Sequence, residues 1–184
     1  MSKEPTSPKW LETAYQLFAH EGPGGIHIER IARLLNLNKS SFYHHFGTLE
    51  VFYDALVQYH YQRIDHAMKD LQTSQNLDPD YIEQALKHKV TFMCQAQLVR
   101  NKNNPLFAIA VIKVNQKIDQ SVIHLWQKHL QISNTDLALK YLSFIRDTFY
   151  ARVSFDNFNY SFLQGLIKDS KYIVDEISRK VVRA

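Results

Sequence analysis

Glycine and proline are scarce in this chain, five of each in 184 residues, about half of average usage. Sheets depend on these residues, because tight hairpins need either a positive φ or a preset one. A chain so poor in both has few places to reverse direction sharply, and the expected class is all-α. The hydrophobic fraction of 45% and the charged fraction of 22% are those of a folded chain rather than a disordered one. No apolar run approaches the ~18 residues of a membrane span. The start, Met1-Ser2-Lys3-Glu4-Pro5, lacks the apolar stretch of a secretory signal. The one cysteine, Cys94, sits in an apolar stretch and has no partner for an internal disulfide. A reducing cytoplasm is therefore the expected location, and a small buried hydrophobe the expected role of Cys94.

Hydrophobic spacing places the helices. Ser7 and Pro8 read as the cap and first turn of an opening helix, in which Trp10, Ala14, Leu17 and Phe18 form one stripe. Glu21-Gly22-Pro23-Gly24-Gly25 ends it, with Gly22 suited to a left-handed position. The cluster lacks the G-x-G-x-x-G spacing of a dinucleotide loop. A short second helix is expected from His27 to Leu35, with Ile28, Ile31, Leu34 and Leu35 apolar. Asn36 suits a left-handed turn and Asn38 a cap for a third, very short helix from Lys39 to Phe46, ended by Gly47. Thr48 caps a long fourth helix reaching Leu71, where Phe52, Ala55, Leu56, Tyr59 and Arg63 share a face. The polar stretch 73–80 reads as a boundary, and helical patterns resume over 79–101, 105–116, 119–131, 135–154 and 157–182. About nine helices are expected.

Two short helices joined by a tight turn, His27–Leu35 and Lys39–Phe46, make a helix-turn-helix. Such a unit can lay its second helix in the major groove of DNA. Ser40, Ser41, Tyr43, His44 and His45 supply polar groups for bases and phosphates, and Phe42 and Phe46 point inward as anchors. Bulk charge contributes little. The formal net charge is +4, yet residues 1–72 hold seven Lys/Arg against eight Asp/Glu, a balance of −1. Residues 73–184 hold fifteen against ten, a balance of +5. Any interaction of the first segment with DNA must rest on local placement.

At these residues the sequence resembles the TetR/AcrR transcriptional regulators. Ile31-Ala32-Arg33-Leu34-Leu35-Asn36-Leu37-Asn38-Lys39-Ser40-Ser41-Phe42-Tyr43-His44-His45-Phe46-Gly47-Thr48-Leu49-Glu50 is similar to the family signature, and Ala14, Leu17-Phe18 and Gly22 match its first helix. The likeness covers about residues 8–60. It implies an N-terminal three-helix helix-turn-helix DNA-binding domain (1–47), a connecting helix (48–72) and a helical effector-binding and dimerisation domain (73–184). Carried over by position, Ser41 and His44 would face base edges, with Ser40 beside them. Tyr43, Lys39 and His45 would hold phosphates. Thr48, His27 and Arg30 would touch the backbone. Leu49 stands where the family usually has lysine, which implies one phosphate contact fewer and a shallower salt dependence. Lys3 and Lys9 could partly compensate.

The same resemblance, with the aromatic content of the second domain, implies a pocket lined from Phe92, Met93, Phe107, Ile112, Trp126 and Phe149 for a small lipophilic or aromatic effector. It also implies a homodimer through the last two helices, with Phe162, Gly165, Leu166, Ile173 and Ile177 at the interface. The expected function is a ligand-responsive regulator, most simply a repressor, on a palindromic double-stranded operator. The competing reading is a dimeric interaction module that has lost DNA binding and titrates another regulator. No cofactor and no membrane partner are expected. Nine histidines invite a metal site, but a single cysteine excludes a C-x-x-C pair, and His60/His66 and His124/His129 miss the i, i+4 spacing. A hydrolase elbow, G-x-S-x-G, is absent, and no residue set nominates a reaction.

Overall fold

The computed structural model describes residues 6–182. Among them are nine α-helices and no strand, in line with the all-α expectation. In chain order α1 spans Thr6–Glu21, α2 Ile28–Leu34, α3 Lys39–Phe46, α4 Leu49–Leu71, α5 Ile82–Lys87, α6 Lys89–Arg100, α7 Pro105–Leu130, α8 Thr135–Arg152 and α9 Tyr160–Val182. A 3-10 turn, Gly22–Gly25, follows α1, and a π-helical turn, Leu77–Tyr81, precedes α5. The chain forms two compact units: one holds the chain through Asp65 together with Val90–Val114, the other His66–Lys89 together with Asn115 onward.

Four details depart from the spacing argument. Helix α1 is already under way at Thr6, so Ser7 lies inside it rather than capping it. The stretch expected as one helix over 79–101 is broken at His88, whose φ of −100° and ψ of 23° separate α5 from α6. The two helices expected over 105–116 and 119–131 are one, α7. Lys117 and Ile118 between them are tolerated helix residues with no glycine or proline to stop propagation. In α2, Leu34 is 59% exposed, and the small side chain Ala32 is buried beside Ile31 instead.

In the first unit, Trp10, Ala14, Tyr15, Phe18 and Ala19 of α1 are buried. The Phe18 and Phe107 rings meet edge-on at 5.6 Å, as do Tyr53 and Phe107. Burying each such ring stabilises the fold by roughly 1.5–3 kcal/mol. A polar chain runs through this core. The Tyr15 hydroxyl lies 2.7 Å from His60 Nδ1, and His60 Nε2 lies 2.9 Å from Gln95 Oε1. Because Gln95 presents an acceptor, Nε2 carries the proton and Nδ1 accepts from Tyr15. Burial pushes the His60 imidazole down to about 4 and raises the Tyr15 hydroxyl. The link joins α1, α4 and α6. Cys94 is buried in the same core, and burial pushes its thiol well up.

In the second unit, Arg146 of α8 pairs with Asp119 of α7 and donates to Ser143 Oγ at 2.8 Å. The Tyr150 hydroxyl meets Asn115 Oδ1 at 2.9 Å, and the Tyr141 hydroxyl donates to the Ser170 carbonyl at 2.9 Å, joining α8 to α9. His88 Nε2 and Asp70 Oδ2 are 2.8 Å apart. Among the described residues no helix is long and apolar enough to cross a membrane. Nor do three or more His, Cys, Asp or Glu gather there in a group that could hold a metal ion.

Candidate nucleic-acid interface

The turn between α2 and α3 is built as the residues require. Asn36 takes a φ of +54°, which asparagine tolerates better than most side chains, and its N–H donates to the Arg33 carbonyl at 3.2 Å. The Leu37 N–H reaches the Ala32 carbonyl at 2.8 Å. Asn38 caps α3, its Oδ1 accepting from the Ser41 N–H at 2.9 Å. Gly47, at φ +71°, ends the helix. Thr48 caps α4, its hydroxyl accepting from the Val51 N–H at 3.3 Å. The Glu50 carboxyl in that first turn is held below its usual range, chiefly by its own backbone N–H and then by Thr48.

Helix α3 is only eight residues long and would be marginal alone. Phe42 and Phe46 hold it. Phe42 is fully buried, and its ring meets Trp10 at 5.4 Å, Phe52 at 5.1 Å and Phe46 at 5.3 Å. Phe46 meets Phe52 at 4.8 Å. The opposite side of α3 faces outward: Lys39, Ser40, Tyr43, His44 and His45 are exposed, Tyr43 by 47%, and Ser41 is half-buried. His27 is exposed at the start of α2 and Thr48 at the start of α4. The nine expected DNA-facing side chains thus lie on α2, α3 and the α4 start of one unit.

Spacing along the chain gave no sign of how the cations are engaged. Arg30 donates through both terminal amines to Glu21, at 2.6 and 2.8 Å. Lys39 forms an ion pair with Glu29 on the first turn of α2. Each cation lowers its partner's carboxyl, Glu21 through Arg30 and Glu29 through Lys39. Both pairs link residues nine or ten apart across a turn, a separation that helical periodicity does not flag. Of the two N-terminal lysines, Lys9 lies exposed on α1, and Lys3 lies outside the described residues.

The expected pocket residues are divided between the two units. Phe92, Met93 and Phe107 are buried in the first unit, and Ile112 there is 61% exposed. Trp126 is buried and Phe149 half-buried in the second unit. Phe107 also borders a cleft of about 280 Å³ whose other walls are Pro23, Tyr53, Arg100, Asn101, Asn103 and Asn104. Of the expected interface residues on α9, Phe162, Gly165 and Leu166 are half-buried, Phe162 lying 6.1 Å from the Phe149 ring. Ile173 and Ile177 are exposed.

Comparison with known proteins bears on this helix-turn-helix. Residues 11–56 match the family model described as bacterial regulatory proteins, tetR family. No curated protein and no solved structure matches the chain. The matched stretch runs from within α1 to within α4 and so contains the whole of α2, the capped turn and α3. That match falls on the helices whose packing and exposed face are described above, so this N-terminal segment, about a quarter of the chain, is similar to the corresponding segment of bacterial tetR-family regulatory proteins.

Proposed function

We propose that the protein is a ligand-responsive repressor that binds a palindromic operator as a homodimer in the cytoplasm. The observation that carries this is the two-sided construction of α3: two buried phenylalanines on one side, five exposed polar side chains on the other. Residues 1–47 serve as the DNA-binding domain, 48–72 as the connecting helix, and 73–184 as the part that binds effector and dimerises. Ser41 and His44 face base edges, and Tyr43, Lys39 and His45 face phosphates. A two-fold dimer places its two reading helices in successive major grooves only at a separation near one DNA turn, roughly 34–36 Å. An effector that prefers another spacing shifts the population away from DNA.

Exposed apolar side chains on two adjoining helices support the dimer. Leu137 and Phe144 stand out on α8, Phe144 by 63%, and Tyr172, Ile173 and Ile177 on α9, Ile177 by 59%. Large side chains of this kind, gathered on one pair of helices, fit a self-complementary interface. The effector is a small lipophilic or aromatic molecule, and Phe107 is an expected pocket residue that lies on the wall of the cleft.

Gel shifts on the DNA flanking the protein's own gene test the function. The Tyr43→Ala, His44→Ala double variant is expected to lose binding by ten-fold or more, about 1.4 kcal/mol. Full retained affinity would remove α3 from the interface. A second reading, an interaction module without DNA binding, is favoured by the occupied cations Arg30 and Lys39 and the −1 balance of residues 1–72. It predicts no shift for the unmodified protein at any salt concentration.

A further inference from the structure

The two ion pairs beside α3 differ in kind. Arg30 and Glu21 form a fork-to-carboxylate pair with two contacts, at 2.6 and 2.8 Å, the arrangement that fixes both partners most firmly. Lys39 meets Glu29 through one oxygen only, and both side chains are exposed. A single-point pair on a flexible ammonium stem in water is weak and exchanges readily. Glu29 does not need it to stay charged or in place, since the first turn of α2 favours an acid there.

On the proposed reading, Lys39 faces a DNA phosphate. That phosphate would have to take the place now held by the Glu29 carboxylate, or share the ammonium with it. We infer that Glu29 is an affinity-limiting residue of the DNA interface, competing with the phosphate backbone for Lys39. The penalty falls equally on every sequence, because phosphates carry no sequence information. It therefore lowers binding to arbitrary DNA and leaves occupancy to the base-facing side chains of α3. The surroundings amplify it. Residues 1–72 carry one more acid than base, and Leu49 adds no positive charge at the start of α4. The inference rests on the proposed orientation of α3.

A salt titration of random-sequence duplex DNA against the full-length protein tests it by fluorescence anisotropy. Glu29→Gln keeps the shape and removes the charge. It is expected to bind about five-fold more tightly at low salt, the Boltzmann factor of one unit-charge contact in water. Its salt slope should steepen by about 0.9, the value for one added phosphate contact. In a Lys39→Met background the same substitution should give no gain. A mere staple between α2 and α3 moves the other way, because its removal loosens α3 and weakens binding. Unchanged or weaker binding by Glu29→Gln overturns the inference, and so does an equal gain in the Lys39→Met background. The Tyr43→Ala, His44→Ala variant in the same assay separates the two levels. If it leaves binding unchanged, the α3 orientation is wrong. If it weakens binding while Glu29→Gln changes nothing, the orientation stands and the role of Glu29 falls.

Discussion

Acid is expected to loosen the first unit through one side chain, His60. In the folded chain its imidazole is buried between Tyr15 and Gln95 and stays neutral down to a pH of about 4, against an ordinary value of 6.5. In the unfolded chain it takes up a proton near the ordinary value. Between those two limits the unfolded state binds more protons than the folded one, so stability falls as pH falls. The slope approaches 1.4 kcal/mol per pH unit. Integrated from pH 7 down to about 4.5, the loss comes to roughly 2–3 kcal/mol, a large part of a domain's typical 5–15 kcal/mol. Glu21, Glu29 and Asp70, all held below their ordinary carboxyl values, act in a more acid range. Urea unfolding at a series of pH values, on the natural chain and on His60→Gln, isolates the histidine. The variant should be the less stable at pH 7, having lost two buried hydrogen bonds, and its disadvantage should shrink by 2–3 kcal/mol toward pH 4.5. Parallel stability curves for the two proteins would refute the reasoning, because they would mean that His60 accepts its proton while folded.

Two other substitutions probe packing. Phe42→Ala removes the fully buried ring that Trp10, Phe46 and Phe52 surround and should cost about 3–5 kcal/mol in chemical denaturation, with loss of DNA binding. Arg146→Ala leaves Asp119 without its cation in a largely enclosed site of the second unit and should destabilise by about 3–5 kcal/mol, whereas Arg146→Met with Asp119→Leu should recover most of that loss in the same measurement.

The part of the chain that was readable in advance is the part governed by local chemistry. Asn36, Asn38, Gly47 and Thr48 each have a backbone role that their side chain, or the lack of one, dictates, so α3 runs over the span their positions implied. The alternation of Phe42 and Phe46 with polar neighbours likewise showed which side of α3 turns inward. What was not readable depends on distant packing. The break at His88 follows no glycine, proline or capping signal, and α7 continues where a weakly patterned stretch suggested a gap. The burial of His60 depends on Tyr15 and Gln95, 45 and 35 residues away. No periodicity announces a polar residue placed in a core by partners so remote. The pairing of Arg30 with Glu21 and Lys39 with Glu29 required the turn geometry first.

The single sulfhydryl offers a use of its own. Cys94 lies shielded in the middle of α6, and the sequence contains no second thiol to confuse its signal. A thiol-reactive dye can therefore label this protein only when α6 or its neighbours open, and the labelling rate reads the frequency of those openings. Followed with and without DNA, that clock reports on breathing of the protein's interior without any engineered probe.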